Sequence, residues 1–402
     1  MHLSTRARSI QGSAILEQAA RVAELRRQGL DVISLGAGEP DFPTPPAAIA
    51  AAREFIEKGR VTYTPAAGLP ELREAAAAEL SRVTGVPYTA AQTCITNGAK
   101  EGLVLALMAL VQDPGDEVIV PAPSWASYES MVTIAGGRQV LVPTRESDGF
   151  KLTPEALARS LTPRTRALLL NSPNNPTGAV YSRAELSGLA DVLRPTAVVV
   201  VSDEIYSPFV FEGQHVSPAS LPGMAERTVV VNGVSKSHSM TGWRIGFTAG
   251  PAPLAAAICN MKSQMTSNAA GPSQVAALAA LRSGTAYTEM MKAAFRKRLD
   301  LACELLGLVP GVSLQQRPGG AFYVFPRVDA LYGPGARDSI EFCDGLLDQA
   351  RLAAVPGAAF AEDRCIRFSI AASEEQIRAG LGRFAAFAAT LRPAAAGIAP
   401  RR

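Results

Sequence analysis

The segment T-V-V-V-N-G-V-S-K-S-H-S-M-T-G-W-R-I-G-F, residues 228–247, contains the pattern that decides the fold. It begins as an apolar run suited to a buried strand and then reaches Ser235 and Lys236, with Arg244 eight residues after the lysine. A lysine at the end of a core strand is costly unless it has a partner or a chemical task there. We therefore expect Lys236 to do chemistry at the end of a buried strand.

Outside this segment, from about residue 90 onward, apolar runs alternate with stretches that have helical spacing. Two of these runs, A-L-L-L at 167–170 and A-V-V-V-V at 197–201, are continuously apolar. Continuous runs are typical of parallel strands that helices cover on both faces. The pattern predicts an α/β fold around a mostly parallel sheet.

A change of pattern after about residue 285, to long helices around short apolar runs, indicates a second, smaller α+β domain. The expected organisation is an N-terminal arm and helix that belong to the small domain at 1–40, a large domain at 41–284, the small C-terminal domain at 285–390 and a disordered tail at 391–402.

The bulk composition limits the classes of function. The 402 residues are 48% hydrophobic and 19% charged, which is globular composition, and the formal charge of +3 is too small for a nucleic-acid surface. No apolar run is long enough to span a bilayer, and the N-terminal residues lack the apolar centre of a signal peptide. We expect a cytoplasmic protein that binds neither nucleic acid nor membrane.

The cysteines occur singly and have no C-x-x-C spacing, so we expect neither a metal site nor a disulfide framework. They are Cys94, Cys259, Cys303, Cys343 and Cys365.

Four predicted strands are followed by polar segments, which read N-G-A-K at 97–100, N-S-P-N-N-P-T-G at 171–178, S-D-E-I-Y at 202–206 and N-G-V-S-K-S at 232–237. Ligands of open parallel sheets bind where the strands end at their carboxyl edge. We therefore expect these four segments to form one site.

A site for pyridoxal 5′-phosphate needs an amine, a buried anion for the ring nitrogen, donors to the phenolate oxygen and a cradle for the phosphate. Lys236 can supply the amine and then move a proton on the substrate. Asp203, at the end of a buried strand, can hold the ring nitrogen protonated. Asn175 and Tyr206 can donate to the phenolate oxygen.

For the phosphate, Ser235 offers a hydroxyl and Arg244 a planar fork. The backbone amides of Gly98, Ala99 and Lys100 open a helix whose positive end favours an anion. Trp125 follows a Pro-Ser turn and can stack on the ring.

Each of these residues has an ordinary structural role when it is taken alone. A single lysine at a strand end is usually solvated, a single aspartate there usually caps a turn, and N-N-P-T-G is a turn sequence. Trp125 alone suits packing, and His238 alone suits a structural side chain. The combination, in this order and at these strand ends, favours the cofactor site.

The sequence resembles the fold-type I pyridoxal-phosphate enzymes, and most of all the class I aminotransferases of the branch that contains bacterial aspartate and aspartate/prephenate aminotransferases. The resemblance runs from about residue 12 to about residue 390 and is carried by S-L-G-A-G-E-P-D-F, Y-T-P-A-A-G-L-P-E-L-R-E-A, N-S-P-N-N-P-T-G-A-V-Y, S-D-E-I-Y and S-K-S-H-S-M-T-G-W-R-I-G-F. It implies a large seven-stranded, mostly parallel α/β/α domain with a smaller α+β domain.

The resemblance also implies roles for single residues. Lys236, Asp203 and Tyr206 are the implied catalytic residues. The implied cofactor contacts are these three together with Gly98, Ala99, Lys100, Trp125, Asn175, Ser235, Arg244 and Tyr63, the last reaching the phosphate of the neighbouring subunit of a homodimer. The implied substrate contacts are Gly38, Trp125, Asn175 and Arg367, with Arg367 pairing with the α-carboxylate. Closure of the small domain over the substrate is implied as well.

The implied activity is transfer of an amino group from an L-amino acid, with aspartate or glutamate as the expected donor, to a 2-oxo acid in a ping-pong cycle. A lyase or another biosynthetic pyridoxal enzyme on the same fold is the first alternative. A pyridoxal-binding regulator without catalysis is a remote one. A nicotinamide enzyme fits poorly, since L-G-A-G-E-P lacks the third glycine of the dinucleotide motif.

Several positions depart from the family pattern near the expected site. The segment of the entry helix that contacts the distal carboxylate reads Ser13, Ala14, Ile15, without the family's threonine, although Lys100 is retained. His238 stands where an aromatic residue is usual, Ile370 replaces a tyrosine, and Pro272 lies in a helix start. We expect a pocket that is less polar than that of a typical aspartate enzyme or differently shaped.

Overall fold

The structure is a computed structural model that describes residues 2–10, 12 and 14–391. Its strands are β1 (Ile33–Ser34), β2 (Thr93–Thr96), β3 (Glu117–Ala122), β4 (Arg138–Pro143), β5 (Thr165–Asn171), β6 (Val199–Asp203), β7 (Thr228–Gly233), β8 (Gly246–Ala249), β9 (Tyr323–Val324), β10 (Leu352–Ala353), β11 (Val355–Pro356) and β12 (Ile366–Ser369).

The α-helices of the described residues are α1 (Thr5–Ser9), α2 (Ala14–Arg27), α3 (Pro46–Glu57), α4 (Pro70–Thr84), α5 (Ala99–Leu110), α6 (Ser127–Ala135), α7 (Pro154–Ser160), α8 (Arg183–Leu193), α9 (Val234–Ser237), α10 (Ala252–Met265), α11 (Gly271–Arg282), α12 (Ala286–Gly307), α13 (Ser339–Ala350) and α14 (Glu374–Leu391). Ser13 and the predicted tail beyond residue 391 lie outside the described residues, as do the side chains of Ala14 and Ile15.

The larger of two units of the chain is built on a seven-stranded sheet of order β2-β8-β7-β6-β5-β3-β4. β8 is antiparallel to both of its neighbours, and every other pair in this sheet is parallel. The predicted α/β fold with a mostly parallel seven-stranded sheet is therefore confirmed.

The continuous apolar runs arise because helices cover both faces of this sheet. Leu169 of β5 and Val201 of β6 pack with α5 and α10 on one face. Leu168 of β5 and Val200 of β6 pack with α7 and α8 on the other. Successive side chains of a strand point to opposite faces, so a strand that is buried on both has no position left for a polar residue.

The smaller unit contains a parallel pair, β1 with β10, and an antiparallel three-stranded sheet of order β11-β12-β9. Helices α13 and α14 pack through edge-to-face contacts of Phe342 with Phe384 and Phe387. Short strands with long helices are the α+β arrangement that the sequence predicts for this part.

The larger unit consists of residues 2–10, Glu39–Ala294 and Pro318–Ala321, and the smaller of Gly12–Gly38, Phe295–Arg317 and residues 322–391. The domain limits expected from the sequence stay a prediction.

Across residues 2–10, 12 and 14–391, no helix combines the length and the apolar character needed to cross a membrane. The same residues contain no cluster of three His, Cys, Asp or Glu side chains able to hold a metal ion.

Candidate active site

Three parallel strands end at one edge of the large sheet, β5 and β6 opposite each other and β7 two residues further on. Asn171 of β5 lies opposite Asp203 of β6, and Asp203 lies opposite Val231 of β7. The polar segments that follow these strands therefore begin side by side, where an open parallel sheet binds its ligands.

The fourth polar segment begins at this edge as well, because β8 runs backwards between β2 and β7. Gly246, the first residue of β8, pairs with Thr96 at the end of β2 and with Gly233 at the end of β7. The chain therefore leaves the sheet beside Lys236 and returns to it beside the 97–100 segment.

Asp203 is a buried carboxylate at the centre of this edge, with 3% of its surface exposed. Burial raises the pKa of its carboxyl to about 6. Hydrogen bonds from the Tyr128 hydroxyl at 2.7 Å and the Ile205 amide at 3.2 Å act in the opposite direction on this pKa, as does the charge of Lys236. The carboxyl is therefore mostly ionised at neutral pH, at the cost of its lost hydration.

Tyr128, near the start of α6, is a site residue that the sequence interpretation missed. Its side chain is buried, and burial together with the neighbouring charge of Asp203 holds the pKa of its phenol well above the usual range. The phenol is therefore a permanent donor to the carboxylate. The signal was present, since α6 follows β3, another strand of the parallel set.

The side chain of Asn171 links the loop after β5 to the end of β6. Asn171 donates from Nδ2 to the carbonyl oxygen of Asp203 at 2.9 Å and accepts from the amide of Asn175 at 2.9 Å. Asn175 is buried beside them. The pattern N-S-P-N-N-P-T-G thus contains a positioning residue, Asn171, in addition to the predicted Asn175.

Lys236 lies in α9, a short helix that begins directly after β7. Its side chain is partly exposed, whereas the preceding Ser235 is buried. The charge of Lys236 lowers the pKa of Asp203, so the two groups are electrostatic neighbours. The structure therefore places an amine next to a buried carboxylate at the edge of the sheet.

Gly98 and Arg244 fit against each other at the start of α5. Gly98 has a φ of 79°, in the left-handed region that favours glycine, and a Cβ at this position would overlap the guanidinium of Arg244. Arg244 is oriented by a 2.9 Å hydrogen bond from Nη1 to the carbonyl oxygen of Thr241.

This arrangement can bind an anion such as a phosphate group. The N-terminus of α5, which is twelve residues long, offers backbone amides and the positive end of the helix dipole. Arg244 lies over the same turn and supplies a fixed positive charge with a planar fork of donors.

Trp125 is held between Lys100 and Tyr128. The Lys100 Nζ lies 4.8 Å from the centre of the indole and 3.3 Å from the Ser127 Oγ. Trp125 meets Tyr128 edge to face at 5.5 Å. Burial and the charge of Arg244 lower the pKa of Lys100. A carboxylate beside Lys100 would offset both effects.

Tyr206 and Tyr63 have opposite environments. Tyr206 is buried and close enough to Tyr128 to raise the pKa of that phenol. Tyr63, in contrast, is 91% exposed. The structure brings Tyr206 to the Asp203 edge, and it leaves Tyr63 accessible to another molecule.

Two predicted site residues, Arg367 and Gly38, belong to the smaller unit. Arg367 of β12 is 1% exposed, and its guanidinium lies 4.4 Å from the ring centre of Tyr323 and 5.0 Å from that of Phe360. Its Nη2 donates to the carbonyl oxygen of Gly36 at 2.7 Å. These contacts orient the guanidinium.

Gly38 lies against the same aromatic ring. A Cβ at Gly38 would come within 3.0 Å of the Tyr323 hydroxyl, so any larger residue would press on the ring that packs against Arg367. Tyr323 was not predicted, since it stands in a short strand with no motif around it. Ile370, one of the departures from the family pattern, is buried in this unit.

His238 is buried, and burial lowers its pKa to about 4, so the ring is neutral at pH 7. Its Nδ1 lies 2.8 Å from the Ser237 hydroxyl. Pro272 occupies the first turn of α11, where proline lacks only an amide that has no helical partner.

The family model described as aminotransferase class I and II matches residues 30–384. The chain is 42% identical to an aspartate aminotransferase of Geobacillus stearothermophilus, over 96% of this chain and 99% of that protein. It is 44% identical to an aspartate/prephenate aminotransferase of Cereibacter sphaeroides, over 92% of this chain and 94% of that protein.

Solved structures agree with these relatives. The aspartate aminotransferase of Rhizobium meliloti superposes with a TM-score of 0.91 at 40% identity, over 97% of this chain and 99% of that one. The aspartate aminotransferase of Thermus thermophilus with maleate has a TM-score of 0.91 at 42% identity, over 96% of this chain and 100% of that one.

Proposed function

Because the chain belongs to the aminotransferase class I and II family and is a pyridoxal 5′-phosphate-dependent aminotransferase, we propose that it takes its amino group from aspartate or glutamate. The relatives described above are named for aspartate or for aspartate and prephenate. They support neither the lyase nor the regulator alternative.

The residues of the Asp203 edge fit the cofactor. A buried carboxylate, an adjacent lysine and a helix N-terminus covered by Arg244 match the ring nitrogen, the aldehyde and the phosphate of pyridoxal phosphate, in that order. When bound, the cofactor supplies an electron sink and a carbon that carries the amino group. In our proposal Arg244, Ser235 and the amides of Gly98, Ala99 and Lys100 bind the phosphate.

The remaining roles follow from the same edge. Asp203 holds the ring nitrogen protonated. The positive charge of that nitrogen in turn offsets the cost of burying the Asp203 carboxylate. Asn175 and Tyr206 donate to the phenolate oxygen, and Trp125 stacks on the ring. Lys236 binds the cofactor covalently through Nζ and afterwards moves a proton on the substrate.

For the substrate, we assign the α-carboxylate to Arg367 and the amide of Gly38, with Asn175 and Trp125 as further contacts. The observation that carries the choice of donor is Lys100, a lysine beside Trp125 whose pKa is lowered by burial and by the charge of Arg244. A second carboxylate on the substrate would stabilise the charged form of this lysine. This favours aspartate and glutamate over apolar amino acids.

The proposed assembly is a cytoplasmic homodimer with shared active sites. Tyr63 is exposed in one chain, as is required of a residue that reaches the phosphate of a neighbouring subunit. The exposed side chains of Val61 and Met265 add apolar surface to the same unit. The five cysteines, all within the described part of the chain, are thiols, which suits a reducing compartment.

The test of donor choice is the single-turnover rate of the purified, cofactor-loaded enzyme with aspartate, glutamate, phenylalanine, leucine and lysine. We expect specificity constants for the two acidic donors at least about tenfold above the others. Equal or higher values for leucine would contradict the acidic donor.

A Lys236→Ala variant tests the site itself. We expect loss of the adduct that borohydride fixes on the protein, detected by mass spectrometry, and a fall in turnover of at least about a thousandfold. Lys292→Ala is the matched control and should retain both. An adduct that persists in Lys236→Ala would refute the assignment.

A further inference from the structure

Cys94 and Cys259 face each other across the interface between the large sheet and α10. Cys94 lies in β2 and is buried, and Cys259 lies in α10 and is partly exposed. Both pack in the apolar cluster on this face of the sheet. The Cys94 thiol donates to the carbonyl oxygen of Ile95 at 3.8 Å, and each of the two thiols shifts the pKa of the other.

Two cations stand beside this cysteine pair. Lys262, one turn after Cys259 in α10, is buried and donates from Nζ to the carbonyl oxygen of Ser267 at 2.6 Å. Arg73 donates from Nε to the carbonyl oxygen of Thr93, the residue before Cys94, at 3.0 Å. The site is therefore electropositive, although Glu101 also acts on it.

These surroundings make the two sulfurs chemically different. The neighbouring Cys94 thiol and the charges of Arg73 and Lys262 lower the pKa of the Cys259 thiol below its usual range. The neighbouring Cys259 and burial raise the pKa of the Cys94 thiol. A partly exposed thiolate next to a buried thiol is the arrangement of a reactive cysteine with a resolving partner.

We propose that Cys94 and Cys259 form a redox modification site, which a hydroperoxide converts into a disulfide between β2 and α10. This goes beyond the aminotransferase activity and uses none of its residues. The sequence predicts no role for this pair, since the cysteines are expected to form neither a metal site nor a disulfide framework.

The reaction balances with the peroxide as the oxidant. The Cys259 thiolate attacks one peroxide oxygen, the O–O bond breaks, and the leaving oxygen takes a proton to become water or an alcohol. The sulfur of Cys94 then attacks the sulfenic sulfur of Cys259. The S–S bond forms as the S–O bond breaks, and the hydroxyl leaves as water with the proton of Cys94. The two thiols lose two electrons, and the peroxide gains them.

The bond would fasten α10 to the strand that leads into the phosphate-binding turn. Thr266, just after α10, donates to Glu101 at 2.6 Å, and Glu101 accepts from the amide of Asn97 at 2.6 Å. The modification site and the turn at Gly98 are thus joined through one carboxylate.

The experiment uses the reduced, cofactor-loaded protein at neutral pH with a stoichiometric amount of hydrogen peroxide, followed by alkylation and digestion with trypsin without a reductant. We expect a disulfide-linked pair of peptides, 83–100 with 245–262, whose mass is lower than the sum of the two peptide masses by two hydrogen atoms. Reduction with a phosphine should release the two separate peptides. Without peroxide, Cys259 should react with maleimide at least about tenfold faster than Cys303. Burial raises the pKa of the Cys303 thiol to about 11.

Two variants assign the roles. In Cys94→Ser, Cys259 should accumulate as a sulfenic acid that dimedone traps, and in Cys259→Ser no disulfide should form. Cys303→Ser is the matched control and should form the disulfide at the wild-type rate. Dimedone labelling of Cys259 in the wild type without a cross-link, or a rate for Cys259 no faster than for Cys303, would overturn the proposal. Neither result depends on transamination.

Discussion

The phenol of Tyr128 donates a 2.7 Å hydrogen bond to the buried carboxylate of Asp203. Among the interactions that lower the pKa of Asp203, this hydrogen bond is the largest, and it opposes the cost of burial. The ionised state of Asp203, on which cofactor binding depends in our proposal, therefore rests partly on Tyr128, to which we assign no contact with substrate or reacting atoms.

Replacing Tyr128 by phenylalanine removes this donor and leaves the ring in place. Hydrogen bonding to the charged form favours that form, so the pKa of Asp203 should rise above about 6. We expect roughly tenfold weaker binding of pyridoxal phosphate near pH 6.5, with the difference shrinking as the pH rises toward about 8.5. Equilibrium dissociation constants across this range measure it.

Tyr181→Phe is the matched control for Tyr128→Phe. Tyr181 is also buried, and its hydroxyl accepts a hydrogen bond from the amide of Leu152 at 2.7 Å, away from Asp203. It should change the free energy of unfolding without a pH-dependent change in cofactor affinity. A loss of affinity in Tyr128→Phe that is constant with pH would mean that the phenol acts only through packing.

Asp203→Asn should stabilise the protein without cofactor at neutral pH. The folded-state pKa of Asp203 is raised, so the wild type loses stability as the pH rises through about 6, and the neutral amide does not. From about pH 4 to about pH 7.5, the free energy of unfolding of the variant should gain about 2 to 3 kcal/mol relative to the wild type.

Urea unfolding of the two cofactor-free proteins at both pH values measures this difference. The variant should also bind pyridoxal phosphate much more weakly, since the ring nitrogen loses its anion. If the difference in the free energy of unfolding between variant and wild type were the same at both pH values, the charge of Asp203 could not be what destabilises the folded protein.

Gly98→Ala should weaken cofactor binding by roughly tenfold or more. Its φ of 79° strains any larger residue, and the new Cβ would overlap the guanidinium of Arg244 and displace the fork that we assign to the phosphate. Cofactor affinity and thermal unfolding are the two measurements.

Gly85→Ala separates backbone strain from the overlap. Gly85 has a φ of 74° at the end of α4, and a Cβ there meets open space. Gly85→Ala should lose about 1 kcal/mol to its left-handed backbone, and Gly98→Ala about 1 to 3 kcal/mol, because a ψ of 162° at positive φ is nearly restricted to glycine. If Gly85→Ala reduced cofactor affinity as much as Gly98→Ala, displacement of Arg244 could not be the cause.

Arg367→Lys should lower kcat/KM for aspartate by roughly a hundredfold while leaving the affinity for pyridoxal phosphate unchanged. A lysine keeps the charge, and it loses the planar fork and its contact with the Tyr323 ring. Titration of the cofactor and steady-state kinetics give the two quantities.

The neighbouring Arg364→Lys provides the control, since Arg364 pairs with Glu362 at 2.7 Å on the surface. It should leave both constants within about twofold of the wild type. A parallel fall of cofactor affinity in Arg367→Lys would place this arginine with the cofactor and remove it from the substrate carboxylate.

The sheet and its polar edge could be predicted because their causes are local in sequence. Continuous apolar runs such as 167–170 require cover on both faces, and the turn residues that follow them must leave the sheet at its carboxyl edge. Lys236, Asp203 and Asn175 stand in such segments, so their placement follows from the order of the strands.

Tyr128, Asn171 and Tyr323 could not be identified in this way. Their importance comes from hydrogen bonds and ring contacts to residues 75, 32 and 44 positions away, which no periodicity records. The cysteine pair has the same origin, since 165 residues separate Cys94 from Cys259.

The amino-acid order was sufficient for the fold class and the cofactor, and it predicts Lys236 as the lysine that binds it, because burial patterns and turn chemistry act over a few neighbouring residues. The ionisation of Asp203, the pose of Arg244 over Gly98 and the asymmetry of the Cys94 and Cys259 thiols depended on folding. Each is an electrostatic or steric effect that acts across a few ångströms of space, between groups that the chain brings together only when the sheet and its helices are packed.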